Sequence, residues 1–330
     1  MKPLNIFYQE PEHDRWFKYD RYPRKLLRHI IRGEEKPGSI MMVALGLIAG
    51  LERLGVPYRF NDFKYIKKNT AEIACIIGKP HLLDKYDWKN PIVFGPGIFS
   101  HPVDYPDLLN KYPNIKKILV PGPWMQKMFA SVYGEESVLS WPVGIDTNKW
   151  SPKNTVKEND FLIYSKFLWN KEINRSEMLR PILDKLDQNG LKYEVITYGK
   201  YTHELLKDSL DRSKAVIFLC EHETQGMAYQ QILSTDLPIL AWDREDYWID
   251  PTYYPEKVRF TPSSSVPYWD ERCGLKFKGL NDFDQKLSMF LKTNNRYSPR
   301  QYILENLTLE ICAEHYINLI NSLNEDTSNS

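Results

Sequence analysis

The sequence predicts an α/β chain built from two successive doubly wound units, each a parallel sheet with helices on its faces. Three observations carry that expectation: short, continuously apolar runs, helical stretches between them, and a restart of the same order after one turn-rich linker. Strands covered on both faces lose the apolar-polar alternation, so unbroken apolar runs are what a parallel sheet leaves in a sequence.

Leu4 to Tyr8, Ala71 to Gly78 and Pro91 to Phe94 are such runs. Between the first two, Ser39 to Leu54 reads as an apolar-rich helix that follows Gly38 and stops at Gly55. Strand, helix and strand in that order make a βαβ unit. Lys117 to Val120 continues as a strand and Pro123 to Tyr133 as a helix. Trp141 to Pro152 is rich in turn residues and a polar stretch follows it, which marks the linker. After it come strand Phe161 to Tyr164, a helix from Arg175 to Asn189, strand Tyr193 to Thr197 and a helix from His203. Strand Ala215 to Leu219, helix Met227 to Ser234 and strand Pro238 to Ala241 complete the set. Two such units predict a cleft between them, with ligands at the carboxyl ends of the strands. Pro299 to Leu323 has the spacing of an amphipathic helix, and Asn324 to Ser330 reads as a disordered tail.

The length of 330 residues agrees with two domains of about 150 residues each. With 42% hydrophobic and 26% charged residues, disordered and fibrous classes are excluded. The 44 basic residues against 43 acidic argue against a nucleic-acid binder that works by neutralising phosphates. Cys75, Cys220, Cys273 and Cys312 form no CxxC pair and have no histidine at metal spacing, so reduced thiols and no metal are expected. The N-terminal stretch is too polar for a signal peptide and no apolar run approaches the ~20 residues of a membrane span, so a cytoplasmic protein is expected. Nine Trp and 21 Tyr are in keeping with a partner whose flat faces stack on rings.

The most informative stretch runs from Cys220 to Ile239. It leaves a strand end, passes Gly226 and enters a helix, so backbone N–H groups can face an anion while acidic and amide side chains take sugar hydroxyls. This stretch resembles the donor-binding motif of glycosyltransferase family 4, retaining enzymes of the GT-B fold, whose pattern is S-x-x-E-G-F-G-L followed by a second Glu and then G-x-P. Glu223 matches the first Glu, Gly226 the glycine and Pro238 the proline, while Gln231 replaces the second Glu and Asp236 the usual glycine. Trp141 to Pro152 resembles the family's P-N-G-V-D segment that closes the first domain. Ser165 to Lys171 resembles G-R-L-x-x-x-K, with Lys166 and Lys171 at its two basic positions. Glu305 to Tyr316 resembles the final helix that crosses back onto the first domain, and Gly38-Ser39 stands where the family has a Gly-Gly pair.

The resemblance implies a nucleotide-sugar donor as substrate, with no cofactor and no metal. A departing diphosphate needs its growing charge stabilised, and Lys166 and Lys171 are placed to supply that. By the same analogy Glu223 bonds the donor sugar, the N–H groups of Thr224, Gln225, Gly226 and Met227 lie where phosphate is held, and Gln231 takes the ribose. A neutral amide accepts less strongly than a carboxylate, so this departure bears on donor affinity. Tyr198-Gly199-Lys200-Tyr201 ends a strand as a candidate base-binding loop, and Trp269 to Gly274 is a polar, aromatic loop that could line the cleft. His101 follows a first-unit strand close to where the family has a cleft histidine; a turn histidine is the competing reading, and Asp104 is the weaker neighbour. Asp243 to Asp246 reads as a surface loop rather than a metal motif.

Arg15 to Arg32 carries seven basic residues opposed by Asp20 alone. An anionic acceptor or peripheral contact with the inner face of an anionic membrane suits it, and so does a solvated helix face. The implied organisation is an acceptor-side Rossmann-like domain over residues 1–152, a donor-binding Rossmann-like domain over 153–300, a returning helix over 301–323 and a tail over 324–330. The expected activity is transfer of a hexosyl group to a hydroxyl of a glycan, lipid-linked or small-molecule acceptor. A non-catalytic nucleotide-sugar-binding protein and a GT-B isomerase or phosphorylase are the alternatives.

Overall fold

The computed structural model describes residues 2–10, 38–293 and 296–328; the basic segment Arg15 to Arg32 lies outside them. The described chain divides into two units. Unit 1 takes its residues from 1–121, 129–143 and 312–330, and unit 2 from 122–128 and 144–311.

In unit 1, strands β1 (Leu4–Phe7), β2 (Tyr58–Phe60), β3 (Ala74–Ile76), β4 (Ile92–Phe94), β5 (Ile115–Val120) and β6 (Val138–Ser140) form one parallel sheet in the order β2-β1-β3-β4-β5-β6. The helix Ser39–Arg53 connects β1 to β2 and buries Val43, Ala44, Leu47 and Leu51. In unit 2, strands β7 (Asn159–Lys166), β8 (Tyr193–Thr197), β9 (Ser213–Cys220), β10 (Ile239–Trp242) and β11 (Gly274–Phe277) form a second parallel sheet in the order β11-β10-β9-β7-β8. Its core packs Phe161, Ile163, Ile217, Trp242 and Phe277 against Ile182 and Phe283. The fold class is therefore the expected one: two parallel sheets with flanking helices.

Several elements differ from expectation for identifiable reasons. The run Ala71 to Gly78 contributes only its middle to β3, because residues 71 and 72 belong to the preceding turn. The helix expected from Arg175 begins at Lys171 and passes through a π-helical turn at Arg175–Leu179 before continuing as Arg180–Gln188. Pro181 explains the turn: it lacks an N–H and its ring crowds the carbonyl four residues back, so the ladder widens just before it. The single helix expected at Pro299 to Leu323 is two, Pro299–Asn306 and Leu309–Ser328. Thr308 interrupts them, its hydroxyl accepting from Ile311 N at 3.2 Å and its backbone bridging to Ile145. The expected tail from Asn324 continues as helix to Ser328.

The last helix starts in unit 2 and, from Cys312, belongs to unit 1. There Trp141 Nε1 donates to Cys312 O at 2.8 Å, and the Trp141 ring meets the buried Tyr316 ring edge-on at 5.0 Å. All four cysteines are free and buried. Among the described residues no helix is long and apolar enough to cross a membrane.

At Gly144 two chain segments of unit 2 pass close together, since a Cβ there meets Thr308 O at 2.3 Å and Leu309 Cα at 2.4 Å. Both are backbone atoms, so relief requires moving the chain. Gly144→Ala is expected to lower stability by about 1–3 kcal/mol, as overpacking does. Gly279→Ala, where a Cβ meets nothing within 4 Å, should stay within about 0.5 kcal/mol of the parent. Urea unfolding midpoints of the two variants check this, and equal midpoints overturn it.

Candidate functional site

The strand order of unit 2 reverses at β7, which has β8 on one side and β9 on the other. Ligands of open α/β sheets bind beyond the carboxyl ends of the strands at such a switch point. The register pairs Lys166 with Cys220, so the last residues of β7 and β9 lie side by side, and Glu221, His222 and Glu223 follow at once. Lys166 Nζ donates to Glu223 Oε1 at 2.6 Å, with the two side chains only 12% and 9% exposed. Burial by itself pulls the lysine pKa down; the Glu223 charge outweighs it and leaves Lys166 above the ordinary lysine value, hence cationic. The same ammonium lies 4.5 Å from the centroid of the Tyr198 ring at the end of β8, within cation–π range.

A second carboxylate shapes the loop after β7. Glu221 accepts from Leu168 N at 2.9 Å, Trp169 N at 3.3 Å and Asn174 Nδ2 at 2.8 Å. Burial raises its pKa, while the N–H groups of that loop counter the rise. Asn170 takes a left-handed conformation, φ 47°, just before the helix that begins at Lys171. This loop and the Tyr198 to Lys200 turn enclose a cavity of about 300 Å³ that Lys171, Arg175 and Lys200 line together with Ser165, Thr197 and Tyr198. Its lining holds no acid, and Arg175 pairs outward with Glu172 at 2.7 Å.

Glu223 is fixed through its backbone as well. Its N–H donates to Ser264 O at 2.9 Å, and its carbonyl accepts from Trp124 Nε1 at 2.7 Å. The Ser264 segment is tied down by Asp243, which accepts from Ser264 Oγ and Ser265 N, both at 2.9 Å, and pairs with Lys276 at 2.8 Å. Asp243 is thus buried and structural, which corrects the expectation of a surface loop at that residue, while Glu245 is exposed and Arg244 and Asp246 are half-buried. Gly226 sits at φ 82° as the residue before the helix Met227–Ser234, and a Cβ there would lie 2.0 Å from the Tyr229 ring. Only glycine combines that φ with that approach. The first N–H groups of the helix have no intrahelical acceptor and point out of its start. Gln225 is buried and bonds Gln230, Thr224 is exposed, and Met227 and Gln231 are half-buried on the first turns.

His222 was not singled out among the sequence candidates, yet it organises this corner. Trp169 stacks on its ring at 4.7 Å, Trp124 meets it edge-on at 5.7 Å, and Trp248 Nε1 donates to its Nε2 at 3.0 Å. Indole N–H only donates, so Nε2 must be unprotonated and the ring proton sits on Nδ1. Burial, reinforced by the Lys166 charge, lowers its pKa to about 3. Nothing in the local sequence pairs His222 with Trp248, because the chain between β10 and β11 has no regular period.

Of the sequence candidates, the structure brings Lys166, Glu223 and Tyr198 into contact and sets Lys171 on the adjoining cavity wall. Gly199, at φ 78°, turns the chain between Tyr198 and Lys200. His101, Gly38 and Ser39 belong to unit 1. There His101 Nδ1 accepts from Val103 N at 3.0 Å and caps a short 3-10 turn, which is the geometry of the turn histidine; burial lowers its pKa and Asp104 opposes the drop. Gly38 precedes the helix that Ser39 begins, with Glu10 Oε1 3.2 Å from where its Cβ would be. In the Trp269 to Gly274 loop, Arg272 pairs with Asp270 at 2.7 Å and also with Glu305.

No family model and no curated protein matches the chain. Solved structures do share its fold. The lipopolysaccharide outer core galactosyltransferase WaaB in its apo form superposes with a TM-score of 0.52 at 11% identity, over 98% of this chain and 99% of that one. The sucrose-phosphate synthase of Thermosynechococcus elongatus gives 0.50 at 10% identity over the same 98% and 99%. TarM gives 0.47 at 14% identity over 78% of this chain, which spans 57% of TarM's length. The two parallel α/β units match the GT-B fold of the first two.

A histidine held neutral in the fold but free to charge when unfolded makes the unfolded state bind more protons between pH 6.5 and about 3. Stability then falls as pH drops through that window, by up to about 1.4 kcal/mol per pH unit. His222→Phe is expected to flatten the decline between pH 6.5 and 4.5 relative to the parent. Urea unfolding at several pH values reads this, and parallel curves for the two proteins contradict a neutral His222.

Proposed function

We propose that this protein is a glycosyltransferase that moves a sugar from a nucleotide-sugar donor to an acceptor hydroxyl, with retention and without a metal. The observation that carries the reading is the Lys166–Glu223 pair at the switch point, 2.6 Å apart beside a cavity lined by Lys171 and without acids. Glycosyl transfer from such a donor releases a nucleoside diphosphate, and cations fixed in advance in a poorly hydrated place stabilise the charge that develops on it. Lys166 and Lys171 fill that role. Glu223 accepts from the sugar hydroxyls, the N–H groups of Gly226 and Met227 take phosphate oxygens, and Tyr198 and Gly199 border the base. Gln231 bonds the ribose as a neutral amide.

Gln231 also supports a second reading, a protein that binds nucleotide sugars without turning them over, because the amide is the weaker acceptor where the related motif carries a carboxylate.

A thermal-shift and turnover screen over UDP-, GDP-, ADP- and TDP-sugars tests both readings. At least one donor is expected to raise the melting temperature, Lys171→Ala to weaken that donor about tenfold or more, and Glu223→Ala to abolish transfer. A shift with no transfer to any acceptor favours the second reading. Absence of any shift, or parental behaviour of both variants, removes the donor site.

A further inference from the structure

In the ligand-free protein Lys166 is already engaged. Its ammonium is 2.6 Å from Glu223 Oε1 and 4.5 Å from the Tyr198 ring centroid, and both charged side chains are almost dry. A diphosphate that takes up Lys166 must share the ammonium with Glu223 or draw it away, and either way it brings its own negative charge beside a nearly dry carboxylate. The carboxylate is then buried beside a polyanion with its cation shared or withdrawn, and a buried charge whose partner is weakened in this way is penalised. Two kinds of ligand meet this cost differently. A nucleotide that still carries its sugar brings hydroxyl donors to Glu223, whereas a bare nucleoside diphosphate brings none.

We propose that Glu223 is a specificity residue that penalises the spent nucleoside diphosphate relative to the intact nucleotide sugar, by competing with the diphosphate for Lys166. This deepens the donor-site reading and rests on it. The selection needs no lid and no contact with the base. It follows from one cation shared between two anions, a cost the ligand offsets only where it brings donors to the carboxylate. Other acids near the site do not share the role. Glu221 is bound to the loop after β7 through Leu168, Trp169 and Asn174. Glu172 is an exposed acid on the helix that follows that loop and pairs with Arg175.

Calorimetric titration of the parent, Glu223→Gln, Glu223→Asp and Glu172→Gln with UDP, GDP, ADP and TDP, and with their glucose or mannose conjugates, tests the idea. Glu223→Gln is expected to strengthen binding of the bare diphosphate relative to its sugar conjugate by on the order of tenfold, the size of a partly relieved charge penalty. Glu223→Asp, which keeps the charge, should retain the parent's ratio, and Glu172→Gln should change it less than about twofold, as a screened surface charge does. If Glu223→Gln loses stability, the diphosphate should raise its melting temperature by more than it raises the parent's, since it replaces the missing counter-charge of Lys166. An unchanged ratio and an equal thermal shift in Glu223→Gln overturn the inference while leaving the donor site in place. An equal gain in Glu172→Gln assigns the effect to general charge and also overturns it. If none of these nucleotides binds the parent, both the donor-site reading and this inference fall.

Discussion

The Lys166–Glu223 pair is the constraint around which unit 2 is arranged. Two nearly dry opposite charges tolerate little displacement, because separating them without replacement leaves each uncompensated. What keeps them within 2.6 Å is the parallel pairing of β7 with β9, which ends with Lys166 opposite Cys220. Around that point the backbone is secured from three directions: Glu221 holds the loop after β7, Asp243 holds the Ser264 segment that accepts the Glu223 N–H, and Trp124 holds the Glu223 carbonyl.

Two carboxylates two positions apart thus do different work. Glu221 meets backbone N–H groups and an amide, so it organises chain; Glu223 meets an ammonium, so it holds a charge partner. His222 lies between them as an uncharged ring, which keeps a third charge out of a corner already occupied by Lys166.

Much of this was legible in the sequence, and where it was not the reason is physical. Strands such as Phe161 to Tyr164 and Ala215 to Leu219 announce themselves because both faces are buried. The order of short motifs points to Lys166, Glu223 and Gly226, of which the first two meet as an ion pair, and glycine at Gly226 has the clear cause of a positive φ against the Tyr229 ring. β2 was missed because its three residues, Tyr58–Phe60, are only half-buried at a sheet edge and give no apolar run. Trp248 and Asp243 were missed as parts of the site because they lie on a long irregular segment whose partners are distant in sequence. Their roles depend on hydrogen bonds to His222 and Ser264, and no periodicity encodes those. The π-helical turn before Pro181 and the break at Thr308 are likewise local exceptions inside otherwise regular helical patterns.

The last helix has a consequence for how the chain is made. Unit 1 packs Tyr316 against Trp141 and takes a hydrogen bond from Trp141 to Cys312, groups 171 positions apart in sequence. The sheet of unit 2 lies wholly between them, from Asn159 to Phe277. During synthesis the later-made sheet therefore has all its strands before the earlier one has its full covering. The Trp141 ring lacks its Tyr316 and Cys312 partners while more than a hundred further residues emerge. The covering of unit 1 is in this sense completed by the last helix. Loss of the last helical turns therefore strikes unit 1, although its strands precede those of unit 2 in the chain.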